Sequence, residues 1–147
     1  GGAASEASLQ TGLRVLSEGR VLGIYPEGTR SPDARMFRGR TGIARMIMQA
    51  DKPVTVVPVV MVDTERVLPI GAKVPRLRKV GMVFGEPLTF TRYEGMAADR
   101  FVLRSITDEI MSELHALSNQ DYRDIYASSI RTKMDAEAKA LAAAQKP

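Results

Sequence analysis

Five consecutive residues, Pro26, Glu27, Gly28, Thr29 and Arg30, bring together groups suited to holding an anion. Arginine presents a rigid fork of N–H donors that matches the oxygens of a phosphate. Gly28 permits a left-handed or otherwise tight backbone, which lets successive amides point into one concavity. Thr29 adds a hydroxyl. A carboxylate does not attract an anion, so Glu27 is expected to orient Arg30 or a loop amide. Arg35, Arg38 and Arg40 follow closely, and Thr41 is a candidate cap for a helix whose N-terminus also favours anions. On their own the five residues fit a solvated surface turn equally well. Their position after an apolar run and ahead of a long loop favours a ligand site.

The elements that position this stretch can be read from periodicity. Leu9, Leu13 and Leu16 recur at helical spacing, with Ser5 and Ser8 as candidate caps, and predict a helix over 5–18 stopped by Gly19. "VLGIY" (21–25) predicts a short buried strand, ended by Pro26, which cannot continue a central strand. A second helix is predicted over 41–51, with Ile43, Met46, Ile47 and Ala50 inward. "VTVVPVVMV" (54–62) then predicts a second buried strand, β-branched nearly throughout. Strand, loop, helix and strand in this order make a βαβ unit with parallel strands and a right-handed crossover. The polar connection from Pro26 to Arg40 would leave the carboxyl end of its strand, where open α/β sheets bind ligands. Connections longer than about 12 residues in compact domains are usually functional.

Downstream, residues 64–79 are irregular and rich in proline, glycine and bases. "VGMVF" (80–84) predicts a third strand. Leu103, Ile106, Ile110, Leu114 and Leu117 mark an amphipathic helix over 98–117. A polar stretch past Asn119 leads into the alanine-rich residues 134–147, expected as a loose helix or frayed tail. The fold class is therefore α/β, with a largely parallel or mixed sheet, covering helices and a C-terminal helical tail. The main unit takes residues 1–118 and the tail 119–147.

Composition narrows the function classes. A length of 147 residues fits one domain with a real core. The absence of cysteine excludes disulfides, thiolate nucleophiles and thiolate metal sites. One histidine, no cysteine and no paired acidic motif leave no metal site to expect. The net charge of +4 favours anionic partners. Aromatics make up only 5% of the chain and tryptophan is absent, so stacking platforms for nucleic acid are poorly supplied and no nucleic-acid partner is expected. The longest apolar run, 54–62, is far short of the roughly 20 residues of a membrane-spanning helix. The first ten residues have neither the basic start nor the apolar stretch of a signal peptide, and the lack of an initial methionine suggests a processed or truncated piece.

"YPEGTRS" resembles the third sequence block of the glycerolipid acyltransferases, the family of 1-acylglycerol-3-phosphate (PlsC-like) acyltransferases, with Glu27, Gly28, Thr29 and Arg30 matching residue for residue. "MFRGRTGIARM" is similar to the phenylalanine, base and glycine pattern that follows that block. "VTVVPVVMV" resembles the fourth block, an apolar strand with a central proline, here Pro58, and "VGMVFGEPL" resembles the family's closing strand and Gly-x-Pro turn. The likeness covers about residues 5–118, and the ordered series is far more specific than any single block.

What this resemblance implies is acyl transfer in phospholipid synthesis, from acyl-CoA or acyl-carrier protein as co-substrate, with no cofactor, to lysophosphatidic acid or a related lysophospholipid or glycerophosphate. Arg30 is then the main phosphate ligand, framed by Glu27, Gly28 and Thr29, with Arg38 and Arg40 in support and Pro58 in a supporting strand associated with acyl-donor binding or the shape of the site. The family's catalytic block, His-x-x-x-x-Asp, and its second block have no counterpart. The lone histidine, His115, has Gln120 five positions on and lies after every other block. It is expected to be a partly exposed helix residue, and no catalytic residue is assigned. A general base and its orienting carboxylate are needed to activate the acceptor hydroxyl. The chain is accordingly expected to be the C-terminal portion of an acyltransferase domain, inactive alone. The alternative is a catalytically inactive homologue acting as a phosphate- or lipid-binding module. A portion of a domain should expose an edge strand and apolar surface, and self-associate. Lys73, Arg76, Arg78 and Lys79, interleaved with Val74, Pro75 and Leu77, fit either a solvated loop or a surface for anionic headgroups. The membrane substrates implied by the resemblance favour the second, a peripheral position on the cytoplasmic face of the cell membrane.

Overall fold

The computed structural model describes residues 2–68, 72 and 74–144. Helix α1 (Gly2–Ser17) is followed by an extended segment and a long loop that contains β1 (Met36–Phe37). Helix α2 (Gly42–Gln49), strand β2 (Val59–Val62), the single-turn α3 (Thr64–Val67) and strand β3 (Gly81–Phe84) come next. Helix α4 (Arg100–Ser118), strand β4 (Tyr122–Arg123) and helix α5 (Ala127–Ala144) complete the chain.

The apolar stripe of α4 organises the core. Asp99 caps this helix, accepting from the N–H groups of Phe101 and Val102. Leu103, Ile106 and Ile110, spaced three and four apart, pack with Ile43 and Ala44 of α2 and with Phe90 in one buried cluster. The helical spacings read from the sequence hold in α1, α2 and α4, but α1 begins at Gly2, so Ser5 and Ser8 lie inside it, and Thr41 stands at the N-cap of α2 without a side-chain cap bond. At its C-terminal end α1 stops where Gly19 takes a left-handed φ of +71°.

The α/β class stands, and the pairing is mixed. β1 and β4 form a parallel pair, Met36 opposite Tyr122 and Phe37 opposite Arg123. β2 and β3 form an antiparallel pair, Val59 opposite Phe84 through Val62 opposite Gly81, extended by an isolated bridge between Val56 and Leu88. The expected βαβ unit does not form, because residues 21–25 are not a strand. Val21 is 97% exposed and Tyr25 78%. No neighbouring strand offers this run a ladder among the described residues, and an extended apolar segment without cross-strand bonds has nothing to hold it in a sheet. The expected buried strand over 54–62 is likewise only in part a strand. Pro58 lacks the N–H that a ladder needs, so pairing is restricted to Val56 and to 59–62. All four residues of β3 are exposed, which agrees with the expectation of a bare apolar surface.

Candidate functional site

The site begins as a tight turn. The Gly28 N–H donates to the Tyr25 carbonyl at 3.0 Å, with Pro26 inside the turn, where its ring presets φ. Gly28 has a φ of +72°, and a Cβ there would stand 3.0 Å from Cδ of Arg40. The left-handed φ favours glycine, and a larger residue would also have to push the Arg40 side chain aside.

Residues 26–40 then leave and return to the same place. The Arg40 N–H donates to the Pro26 carbonyl at 2.7 Å, so the ends of the loop are joined. This is a compact loop closed on itself, of the kind that often carries function. Glu27 closes it a second time by accepting from the Phe37 N–H at 3.1 Å across the loop. Glu27 was expected to orient Arg30 or a loop amide, and the amide is what it holds. Burial raises the Glu27 carboxyl above the ordinary carboxylate range, and the Phe37 N–H opposes that shift. Farther round, Asp33 accepts from the Arg35 N–H and exchanges bonds with Ser31, and Ala34 is held in the left-handed region at φ +62°. A non-glycine residue there is costly, and its carbonyl is pinned by the Gln120 side-chain amide at 3.2 Å.

The C-terminal segment supplies the remaining anchors. The N–H groups of Met36 and Arg38 donate to the carbonyls of Asp121 and Ile125, both at 3.0 Å. The guanidinium groups of Arg38 and Arg40 lie over the Tyr126 ring, 5.7 and 5.2 Å from its centre. Arg40 Nη2 donates to Ser128 Oγ at 2.9 Å, and Arg131 Nη2 donates to the main-chain carbonyl of Arg30 at 3.1 Å. On the opposite side, Arg104 of α4 donates to the Gly39 carbonyl at 2.8 Å while its other nitrogens fork onto Asp108.

Charge is distributed unevenly through this network. Arg35 lies within ion-pair distance of Asp33 and Asp121, and Arg38 Nε is buried 3.5 Å from Asp124, outside hydrogen-bond geometry. Arg30, Arg40 and Arg131 have no carboxylate partner among the described residues. Arg30 and Arg131 are joined through the Arg30 carbonyl, and Arg40 and Ser128 close the same face of α5. An arrangement of uncompensated guanidinium groups on a fixed backbone can bind an anion with several oxygens.

The structure does not gather every residue that sequence reasoning grouped here. Glu27, Gly28, Thr29, Arg30, Arg38 and Arg40 share the closed loop. Pro58 lies just ahead of β2, away from the loop, and its carbonyl accepts from the Gly85 N–H just past β3. Arg76, Arg78 and Lys79 are exposed in the segment leading to β3, and Lys73 lies outside the described residues. His115 is exposed and its ring sits 5.9 Å from that of Tyr122. The open hollow of about 570 Å³ that His115 lines, with Asn119, Asp121, Tyr122 and Arg123, includes none of residues 26–30. Sequence reasoning missed Tyr126, Ser128 and Arg131. The available signal was the recurrence of Tyr122, Ile125 and Tyr126 in an otherwise polar stretch.

Residues 2–62 match the family model described as Acyltransferase. The match takes in α1, the Glu27–Arg30 turn, the closed loop, α2 and β2, and it supports an acyltransferase family with acyl transfer as the general function. Comparison with curated proteins and with solved structures gives no significant match.

Proposed function

We propose that this chain is part of an acyltransferase that moves a fatty acyl group from acyl-CoA or an acyl-carrier protein to lysophosphatidic acid or a related glycerophosphate, in phospholipid synthesis. Its contribution is the grip on the acceptor's phosphate. Arg30 is the main ligand, and Gly28 and Thr29 shape the turn that carries it. Glu27 acts at one remove, by closing the loop through Phe37. The observation that carries this reading is the pinned loop itself: an exposed guanidinium without a counter-charge, on a backbone fixed from both sides. A preorganised site of this kind spends little binding energy on ordering.

In such a transfer the acceptor hydroxyl attacks the thioester carbonyl, a base takes its proton, and the C–S bond breaks so that the donor leaves as its thiol. The lone histidine is placed in the hollow beside Tyr122, not at the turn. We therefore assign no base in this chain and expect no acyl transfer by it alone. The same placement favours a second reading, a homologue that binds glycerophosphates without turnover; transfer catalysed by the purified chain would exclude it. At the membrane, Arg76, Arg78 and Lys79 lie among the exposed Val74, Leu77 and Val80. Bases near an anionic surface contribute about 1 kcal/mol each, so this segment suits peripheral contact with the cytoplasmic leaflet.

Calorimetric titration of the 147-residue chain with glycerol 3-phosphate tests the grip. Arg30→Ala should weaken binding at least tenfold, on the order of the 1.5–3 kcal/mol of hydrogen bonds to charged groups. Unchanged affinity would remove Arg30 from the site.

A further inference from the structure

The C-terminal segment looks like an appendage in the sequence, yet it makes more of the loop's anchoring bonds than any neighbouring element. Its main chain receives Met36 and Arg38, its Tyr126 ring lies under two guanidinium groups, and Ala127 at the start of α5 is 1% exposed. Ser128 and Arg131 are one helical turn apart and so present to the same side of α5. Ser128 accepts from the Arg40 guanidinium, and Arg131 donates to the main-chain carbonyl of Arg30. The result is three guanidinium groups, from two distant parts of the chain, with no carboxylate partner among the described residues. Guanidinium groups left without a counter-charge on one side of the loop are available to an anion. Of the acids nearby, Asp33 and Asp121 face Arg35, Asp124 faces Arg38 and Glu27 is tied to the Phe37 amide, while Asp135, one turn on from Arg131 in α5, makes no ion pair with it.

We propose that Arg131 of α5 is a specificity-determining residue of the anion site, supplying a second guanidinium beside Arg30, with Arg40 as the third. The inference rests on the phosphate reading of the Glu27–Arg30 turn and extends that site across α5. Arg131 spends one N–H on the Arg30 carbonyl and keeps the rest of its fork for a ligand. Two forks suit a terminal phosphate, which carries close to two charges at neutral pH and three free oxygens. A phosphate esterified twice has one charge and fewer free oxygens, and so gains less from the second fork.

The test uses the full 147-residue chain and two probes, glycerol 3-phosphate and its methyl phosphodiester, titrated into the wild type, Arg131→Ala, Arg131→Lys and Arg30→Ala. Arg131→Ala should weaken binding of the monoester about tenfold and of the diester no more than about twofold, the difference expected for losing one charge-assisted fork. Arg131→Lys should restore part of the monoester affinity, since the charge returns without the fork. Arg131 is exposed on α5, and matched thermal unfolding of the variants would separate a binding effect from a folding one. If Arg30→Ala weakens both probes while Arg131→Ala changes neither, or changes both equally, the role of Arg131 is overturned and the turn survives. If the wild type binds neither probe, or Arg30→Ala is silent, the phosphate reading itself fails.

Discussion

The loop from Pro26 to Arg40 and the β2–β3 pair invert the usual relation between polarity and order. The loop is rich in arginine and has only two residues of strand, yet its ends are bonded to each other and its middle is bonded to α4, β4 and α5. The β2–β3 pair has regular antiparallel register and strongly apolar residues, yet Met82 is 54% exposed and Phe84 64%. Apolar sequence alone does not bury a strand; a second layer must cover it. Conversely, a polar segment becomes well defined when its backbone groups find specific partners rather than water. In this molecule the polar loop is fixed, whereas β3 is bare along its whole length.

The largest effect on that contrast should come from Gly39, where the loop touches α4. A Cβ there would stand 2.8 Å from Met111 Cγ and 3.0 Å from Thr107 Cγ2, both in buried residues. Gly39→Ala should cost about 1–3 kcal/mol in denaturant unfolding, as overpacking typically does. An unchanged midpoint would mean that the loop is not seated on the helix.

Glu27 comes next. Glu27→Ala removes the acceptor of the Phe37 N–H, on a residue that is 1% exposed, and should cost about 1–2 kcal/mol. Glu27→Gln keeps an acceptor and should be nearly neutral. The pH dependence separates the two causes. Because burial raises the folded-state carboxyl, the native state holds its proton more tightly than the unfolded chain. Glu27 therefore favours folding most below the ordinary carboxylate range, and that contribution is lost as pH rises through the raised folded value. Glu27→Gln should flatten this part of the stability–pH curve, and an unaltered curve would mean that Glu27 is not desolvated.

The hairpin should respond least in stability. Met82→Lys and Phe84→Lys exchange exposed side chains and should shift unfolding by no more than about 0.5 kcal/mol. They should nevertheless reduce self-association, because they charge the bare face of β3. Loss of stability beyond 1–2 kcal/mol would show that the face is covered in solution.

Much of this architecture is legible in local pattern. The leucine and isoleucine spacings of α1, α2 and α4 mark their inward faces, because burial of a helix stripe depends on residues three and four apart. The turn at Glu27–Arg30 is legible because proline and glycine act on their own dihedrals. Residues 21–25 mislead because strand character depends on a partner, and an apolar run has the same composition whether or not one is present. The anchoring by Tyr126, Ser128 and Arg131 is hidden for a different reason. Those bonds join positions about a hundred residues apart, such as Arg131 with Arg30, and follow no periodicity.

Hydrogen exchange of the 147-residue chain, with and without glycerol 3-phosphate, tests most directly whether the fixed polar loop holds the anion. Amides 27–31 and 38–40 should exchange more slowly with the ligand present, while amides 81–84 of β3 keep their rates. Protection confined to β3, or unchanged exchange across 27–31 at saturating ligand, would contradict the account.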